Sequence, residues 1–431
     1  MWKSSAGAGL ATAALAAAAA VTISKRMLST PRTMAAASGR MEAVLRRRPA
    51  NVGDKLDAIE TPCLVVDLDA MEKNLRALPQ SLHAYPNVAI RPHTKAHKSV
   101  SIGRLQVQHS KAIGLCCQKI AEAEAMFAGG ITDLLLSNEV YGDDRYERMA
   151  ELAKQGGHIT LIFDHETTVA QAQRVAARHG VTFQALVDVN VGQNRCGVDT
   201  IEDALQLARL INDAANLTLK GIQAYHGGAQ HIRSHEDKSN VILNQVCAKA
   251  KRVRDAFVSH GLNCDVVTGG GTGTYMLEAS SGVFTEVQPG SYLFNDADYA
   301  RNLDEKGELV RHWEQSLFVL TTVMSVNEKA PRAVVDAGMK AVSPDSGAPL
   351  VYSSIDAQPL PPLVYQGGGD EHGILVPEGE TWEIPMPSLG QKLLLTPGHC
   401  DPTANLYDFV VGFRNGVVES VWEVGARGPG N

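Results

Sequence analysis

The sequence predicts an α/β chain, a closed (β/α)8 TIM barrel followed by a second, mostly β domain. Three observations carry that expectation. Eight short β-rich segments alternate with amphipathic ones between residues 88 and 293, polar residues collect at the carboxyl ends of those segments, and after about residue 302 the pattern changes to β-rich stretches divided by Gly and Pro. At 431 residues, 44% apolar and 20% charged, the chain is longer than one ordinary domain and can bury a large core.

Taken in order, residues 1–40 come first. Lys3, Lys25, Arg26, Arg32 and Arg40 all precede Glu42, the first acidic residue, in a stretch dominated by Ala, Ser and Thr. This is the composition of a targeting segment for a mitochondrion or chloroplast. Its apolar part, 10–23, is shorter than the ~20 residues a membrane span needs, so no membrane partner is expected. Residues 62–67 read as a strand that joins the β domain, and 69–78 as the first barrel helix. The domains expected are therefore 1–40 for targeting, 67–302 for the barrel, and 41–66 plus 303–431 for the β domain. The barrel strands are read at 88–92, 112–116, 133–137, 158–163, 183–189, 217–224, 264–268 and 285–293. Between them, Ile201, Ala204, Leu205, Ala208 and Ile211 share one face of a 3.6-residue period, and 235–260 reads as a long helix. In the β domain the strand readings are 316–326, 333–336, 392–396 and 409–414.

Composition excludes several function classes. Forty Lys and Arg against 47 Asp and Glu give a net charge of −7, which offers no basic field for nucleic acid. The partner expected is a small molecule. Seven scattered cysteines, without CxxC pairs, resemble neither a disulfide framework nor a zinc site and fit a reducing compartment.

The chemistry-bearing run is Arg91-Pro92-His93-Thr94-Lys95-Ala96-His97-Lys98, placed where the first strand opens onto a loop. A lysine crowded by cations and partly desolvated has its pKa lowered and presents the free amine that imine formation with a carbonyl cofactor needs, so Lys95 is the candidate Schiff-base residue. Read alone, the octapeptide also suits a basic, anion-binding turn. The other strand ends bring Cys117, Gln118, Asn138, Asn190, Arg195, Tyr225-His226-Gly227-Gly228, Ser291 and Tyr292 to the same mouth. Gly269 to Gly273, after the seventh strand, reads as a phosphate cradle: glycines let the backbone N–H groups approach an anion, and Thr272 adds a hydroxyl. His226 and His231 are both candidates for a general base. In Gly398-His399-Cys400-Asp401, an extended chain points His399 and Asp401 to one side, where they can share a divalent ion; on spacing alone a hydrogen-bonded turn reads as well.

Together, the runs from Arg91 to Lys98, Gly192 to Gly197, Tyr225 to His231, Gly269 to Gly273, Pro289 to Tyr299 and Pro397 to Leu406 resemble the alanine-racemase-like, fold type III pyridoxal-phosphate enzymes. Within that class they resemble the metal-activated D-threonine aldolases and the related eukaryotic D-serine dehydratases. The resemblance implies pyridoxal 5'-phosphate on Lys95, with Arg195 beside its ring, Tyr225 packed against it, and Gly270, Gly271 and Thr272 at its phosphate. It also implies a divalent cation (Mn, Mg, Co or Zn) on His399 and Asp401, and a homodimer. For the base that takes the β-hydroxyl proton, His231 or a metal-bound hydroxide is expected, with a contribution from His93. The expected reaction is cleavage of D-3-hydroxy-α-amino acids, in the simplest case D-threonine to glycine and acetaldehyde. Asp401 favours aldolase, because the dehydratases are expected to carry cysteine there; a D-serine dehydratase-like ammonia-lyase and a non-catalytic PLP-binding protein are the rival readings.

Overall fold

Strand β1 (Cys63–Asp67) ends at Asp67, whose carboxylate accepts the N–H groups of Asp69 and Ala70 at 2.9 and 3.1 Å and so caps the helix Leu68–Ser81. This is a computed structural model, and it describes residues 47–379 and 385–430; the targeting segment expected over 1–40 lies outside the described residues. No helix among the described residues is long and apolar enough to cross a membrane.

Eight parallel strands follow: β2 (Ala89–Ile90), β3 (Leu115–Cys117), β4 (Asp133–Leu136), β5 (His158–Phe163), β6 (Phe183–Asp188), β7 (Leu217–Gln223), β8 (Val266–Gly269) and β9 (Glu286–Val287). They run in the order β2-β9-β8-β7-β6-β5-β4-β3. The barrel closes where His93 and Cys116 form a parallel bridge and the Cys116 N–H donates to Pro92 O at 2.9 Å. These strands read as apolar runs because both faces are covered. Leu134, Leu136, Leu161, Phe163, Ala185 and Val187 pack outward against the helices, while the alternate residues Leu135, Ile162 and Leu186 gather with Cys116 inside.

Four expected strands differ in their bounds by more than one residue: the second, expected at 112–116, is Leu115–Cys117, the seventh, expected at 264–268, is Val266–Gly269, and the first and eighth are shortened most. The first is regular only at Ala89–Ile90, although the Arg91 and His93 N–H groups still donate to Val287 O and Pro289 O at 2.9 and 3.2 Å before the chain turns into a 3-10 helix at Thr94–Ala96. The eighth is only Glu286–Val287, since Pro289 and Gly290 end it and Ser291–Leu293 is a 3-10 turn. The segment 235–260 is helical throughout, with a π-helical insert at Ile242–Cys247 between His235–Val241 and Ala248–Ser259.

The remaining strands are β10 (Leu317–Asn327), β11 (Arg332–Val335), β12 (Leu350–Ser354), β13 (Leu363–Gly367), β14 (Gly373–Pro377), β15 (Lys392–Thr396), β16 (Phe409–Arg414) and β17 (Val417–Glu423). They build a nine-stranded sheet in the order β13-β14-β11-β10-β1-β16-β17, with β15 pairing both β10 and β12. Thus β1 pairs antiparallel with β10 and parallel with β16. All seven cysteines are free.

The barrel interior below the mouth is polar on one side. The Arg91 guanidinium pairs with Glu286 at 3.0 Å and Asp133 at 2.5 Å, Thr268 donates to Glu286 at 2.7 Å, and the Gln288 amide donates to Thr268 at 2.7 Å and to Gln223 at 2.8 Å. Arg91 is thereby a structural residue, tied to the first residues of β4 and β9 and not to the mouth. Burial disfavours its charge, but Glu286 and Asp133 outweigh that and hold the guanidinium charged. This polar column, in which Arg91 Nε meets Glu286 as an ion pair without a hydrogen bond, forms the floor of the mouth, with Gln223 and Gln288 as its top layer.

Candidate active site

A cleft of about 420 Å³ opens at the carboxyl ends of the barrel strands, lined among others by Lys95, His93, Arg195, Tyr225, His231 and His399. Two parts of the chain 306 residues apart meet in it: Lys95 Nζ donates to Asp401 Oδ2 at 2.5 Å. The expected lowering of the Lys95 pKa is overturned by this contact. Burial does push the ammonium down, but the Asp401 carboxylate and Tyr225 more than offset it, and the group stands above the ordinary lysine value. Reciprocally, burial would raise Asp401, but Lys95 and His399 hold it well below the usual carboxylate range. Ser291 Oγ and Cys400 Sγ also donate to Asp401, each at 3.3 Å.

The extended run expected through 397–401 is not formed. His399 is the N-cap of a short helix, Cys400–Ala404, because the Asp296 carboxylate accepts the Cys400 and Tyr299 N–H groups at 3.0 and 2.9 Å and pulls the chain into a turn. The two side chains still face one another, with His399 Nε2 4.0 Å from Asp401 Oδ2. That distance is too long for a hydrogen bond. Among the described residues no group of three or more His, Cys, Asp or Glu gathers as a metal site, so an ion here would have two protein ligands and take the rest from water and substrate.

The three histidines differ. His93 accepts the Lys95 N–H on Nδ1 at 3.2 Å, and its Nε2 lies 3.2 Å from Gln118 Oε1 and 3.0 Å from Ser137 Oγ. Burial, then the Lys95 charge, lowers its pKa to about 3, so the ring is neutral, with both nitrogens engaged, and orients the loop that carries Lys95. His226 accepts the Ala229 N–H on Nδ1 at 3.1 Å, as a histidine tied to a tight turn does. His231 lines the cleft and donates from Nδ1 to Asp298 at 2.5 Å, which leaves Nε2 as its acceptor. Burial would raise Asp298, but His231 and Arg233 hold it far below the ordinary value, so it is an anion that fixes the His231 ring.

Arg195 sits on a loop closed by the Val189 and Val198 bridge. The turn requires glycine at Gly197, where φ is 93° and a Cβ would stand 2.5 Å from the Asn190 nitrogen. Behind it Asp188 and Glu139 hydrogen-bond to each other; burial first, then Glu139, raises Asp188 well above the usual carboxylate range.

The glycine loop has its bare backbone against polar side chains. A Cβ on Gly271 would lie 2.6 Å from Gln230 Oε1, and the Gly273 N–H donates to that same oxygen at 2.8 Å. Gly270 takes φ +72° and packs on Glu278. Thr272 Oγ1 accepts the Tyr292 N–H at 2.9 Å, which leaves the hydroxyl proton to donate. An amine, a guanidinium and a phenol in one cleft form a set that fits pyridoxal phosphate, with Lys95 for the aldehyde and Arg195 and Tyr225 for the ring. The expected phosphate residues Gly270, Gly271 and Thr272 are buried and do not line this cleft; Thr272 borders a separate cavity with Gly273 and Thr274.

Glu278 supports that loop and gives a pH prediction. It is 1% exposed, Oε1 accepts from Thr274 at 2.9 Å, Oε2 has no hydrogen-bond partner, and burial raises its pKa from 4.5 to about 7. The folded state therefore holds the proton more tightly than the unfolded chain, and stability declines as pH rises from about 5 through 7, by at most on the order of 3 kcal/mol. Glu278→Gln removes the ionisation and keeps an acceptor for Thr274. Its melting temperature should match the native protein at pH 5 and exceed it at pH 8; equal melting temperatures at both pH values would refute the assignment.

Sequence reasoning missed Asp298, Tyr299, Asp345, Gln193, Gln223 and Gln288. The acidic pair Asp296 and Asp298 beside Tyr299 was a usable signal, since it follows directly on the last barrel strand. Cys117 and Tyr292, read as mouth residues, are fully buried.

Residues 66–298 match the alanine racemase N-terminal domain family, and 316–413 match the serine dehydratase domain. The chain is 43% identical over 384 residues to 3-hydroxy-D-aspartate aldolase of Paracoccus denitrificans (strain Pd 1222), covering 89% of this chain and 96% of that protein. It is 40% identical over 385 residues to D-threonine aldolase of Arthrobacter sp., covering 88% and 96%. The crystal structure of D-threonine aldolase from Filomicrobium marinum superposes with a TM-score of 0.81 at 38% identity, over 88% of this chain and 99% of that one.

Proposed function

The chain belongs to the alanine racemase N-terminal domain family and is a lyase of the D-threonine aldolase type, and from that premise we propose that it cleaves D-3-hydroxy-α-amino acids between Cα and Cβ with pyridoxal phosphate and a divalent cation, D-threonine giving glycine and acetaldehyde. The observation that carries this is the meeting of Lys95, Asp401 and His399 in one cleft, an amine beside a two-ligand pair.

When bound, pyridoxal phosphate supplies the electron sink for the pair released as the Cα–Cβ bond breaks. A divalent ion on His399 and Asp401 supplies Lewis acidity at the β-hydroxyl. The chain's own groups do the rest. Lys95 Nζ, once its ammonium has released a proton, provides the amine that captures the carbonyl. Arg195 and Tyr225 hold the ring, and the sequence resemblance alone assigns the anion to the Gly270 to Thr272 loop. His231 Nε2 takes the β-hydroxyl proton, and the Asp298 anion stabilises the imidazolium that results. His93, neutral and bonded through both nitrogens, serves to place Lys95 and is the weaker candidate for the base.

The serine dehydratase domain match raises the ammonia-lyase alternative. Asp401 in place of cysteine supports the aldolase reading, since a carboxylate gives the ion harder ligation than a thiolate. A second substrate, 3-hydroxy-D-aspartate, has the support of the Paracoccus relative's name. Homodimerisation and organelle import are part of the proposal on the sequence grounds already given. The test is one assay series: protein with pyridoxal phosphate and Mn²⁺, offered D-threonine, L-threonine, 3-hydroxy-D-aspartate and D-serine. Glycine with acetaldehyde from D-threonine and with glyoxylate from 3-hydroxy-D-aspartate is expected, and none from L-threonine; ammonia with 2-oxobutanoate from D-threonine, oxaloacetate from 3-hydroxy-D-aspartate or pyruvate from D-serine as the main products would reverse the reading.

A further inference from the structure

We propose that Asp345 is a positioning residue for His399, holding its imidazole so that Nε2 is the nitrogen presented to a cation beside Asp401. The inference deepens the metal part of the function proposed above and rests on it. Asp345 Oδ2 lies 2.6 Å from His399 Nδ1 across 54 residues of sequence. A ring that donates Nδ1–H to a carboxylate carries its lone pair on Nε2, and His399 Nε2 is the atom that faces Asp401. The contact therefore selects both a tautomer and a rotamer.

The surroundings are built for that contact. Asp345 is itself fixed by Ser343 Oγ on Oδ1 at 2.9 Å and Ser346 Oγ on Oδ2 at 3.1 Å. The carbonyl of Ser346 accepts from Arg301 at 3.0 Å, and the N–H of Ser343 donates to Thr403 Oγ1 at 3.2 Å. The loop 343–347 and the chain at Gly398 approach so closely that a Cβ on Gly398 would stand 2.2 Å from Gly347 O. On the other side, the carbonyls of Pro397 and Gly398 accept the N–H groups of Ala297 and Asp298 at 3.0 and 3.2 Å. His399 is held by its backbone on one side and by its ring on the other. The bland alternative is a surface ion pair, since the Asp345 side chain is 47% exposed. Such a pair contributes little to folding and predicts no effect on ion affinity.

The experiment measures Mn²⁺ affinity of the pyridoxal-phosphate-loaded protein by electron paramagnetic resonance of free Mn²⁺, with cofactor absorbance and melting temperature as controls. Native protein and Asp345→Ala, Asp345→Asn and His399→Ala variants are compared. Asp345→Ala is expected to weaken Mn²⁺ roughly 10- to 100-fold with absorbance and melting temperature retained. Asp345→Asn keeps an oxygen able to accept Nδ1–H and is expected to fall between it and the native protein, which also serves should the alanine variant fold poorly. His399→Ala is expected to lose the site. Native-like affinity in both Asp345 variants overturns this inference alone, whereas a native protein that binds no Mn²⁺ overturns the metal reading and this inference with it.

Discussion

Lys95→Ala is expected to abolish covalent cofactor capture and to lower turnover on the order of 10⁴-fold or more, the scale seen when the covalent residue of an enzyme is removed. Among the described residues that line the cleft Lys95 is the one lysine, so no neighbouring side chain can substitute for it. Stability changes as well, because Asp401 is 9% exposed and loses the partner that sits 2.5 Å away. An uncompensated carboxylate at that depth costs about 1–3 kcal/mol, less than in a fully buried pair because the Lys95 side chain is 37% exposed. Lys95→Arg separates the two effects: it keeps a cation against Asp401 and the fold near native, yet a guanidinium forms no imine. Borohydride trapping with peptide mapping is the measurement. The native protein should carry the reduced adduct at Lys95 and neither variant should carry one; an adduct at another lysine with activity intact would remove the basis of the whole assignment.

How far the sequence carried this site depends on which residues are local. The barrel was legible because its strands are apolar on both faces and its helices keep a 3.6-residue period; strand ends were less so, the first and eighth strands being cut short by 3-10 turns and the second and seventh beginning two to three residues later than read. Lys95, Arg195, Tyr225, His231, His399 and Asp401 stand at strand ends or in short motifs, and the structure brings Lys95, Arg195, Tyr225, His231 and His399 to one cleft, with Asp401 bonded to Lys95 at its edge. Long-range pairing was not legible. Nothing local announces that Asp401 will neutralise Lys95, that Asp298 will hold His231, or that Asp345 will hold His399. The charge of Lys95 was consequently misjudged: its sequence neighbours are cations, but Arg91 is spent on Glu286 and Asp133, and the group that sets Lys95 lies 306 residues away.

Asp401→Ala and His399→Ala are the second pair of large effects, and they act on a different step. Each keeps the Lys95 amine, although Asp401→Ala also removes the carboxylate bonded to it, so visible cofactor absorbance should be retained while cleavage of D-threonine falls roughly 10²- to 10⁴-fold, the range associated with losing activation of a reacting proton. If the two residues share one ion, their losses are not additive: the double variant should be no slower than the worse single one, because either substitution already removes the ion's hold. Chelation of the native protein should then reproduce the variants, and Mn²⁺ should restore the native protein without restoring Asp401→Ala. The alternative role for Asp401, a counter-ion to Lys95 alone, makes a different pattern. It predicts altered cofactor capture in Asp401→Ala, no effect of His399→Ala, and activity indifferent to chelator. Observing that second pattern would leave the barrel and its imine chemistry standing and remove the cation from the reaction.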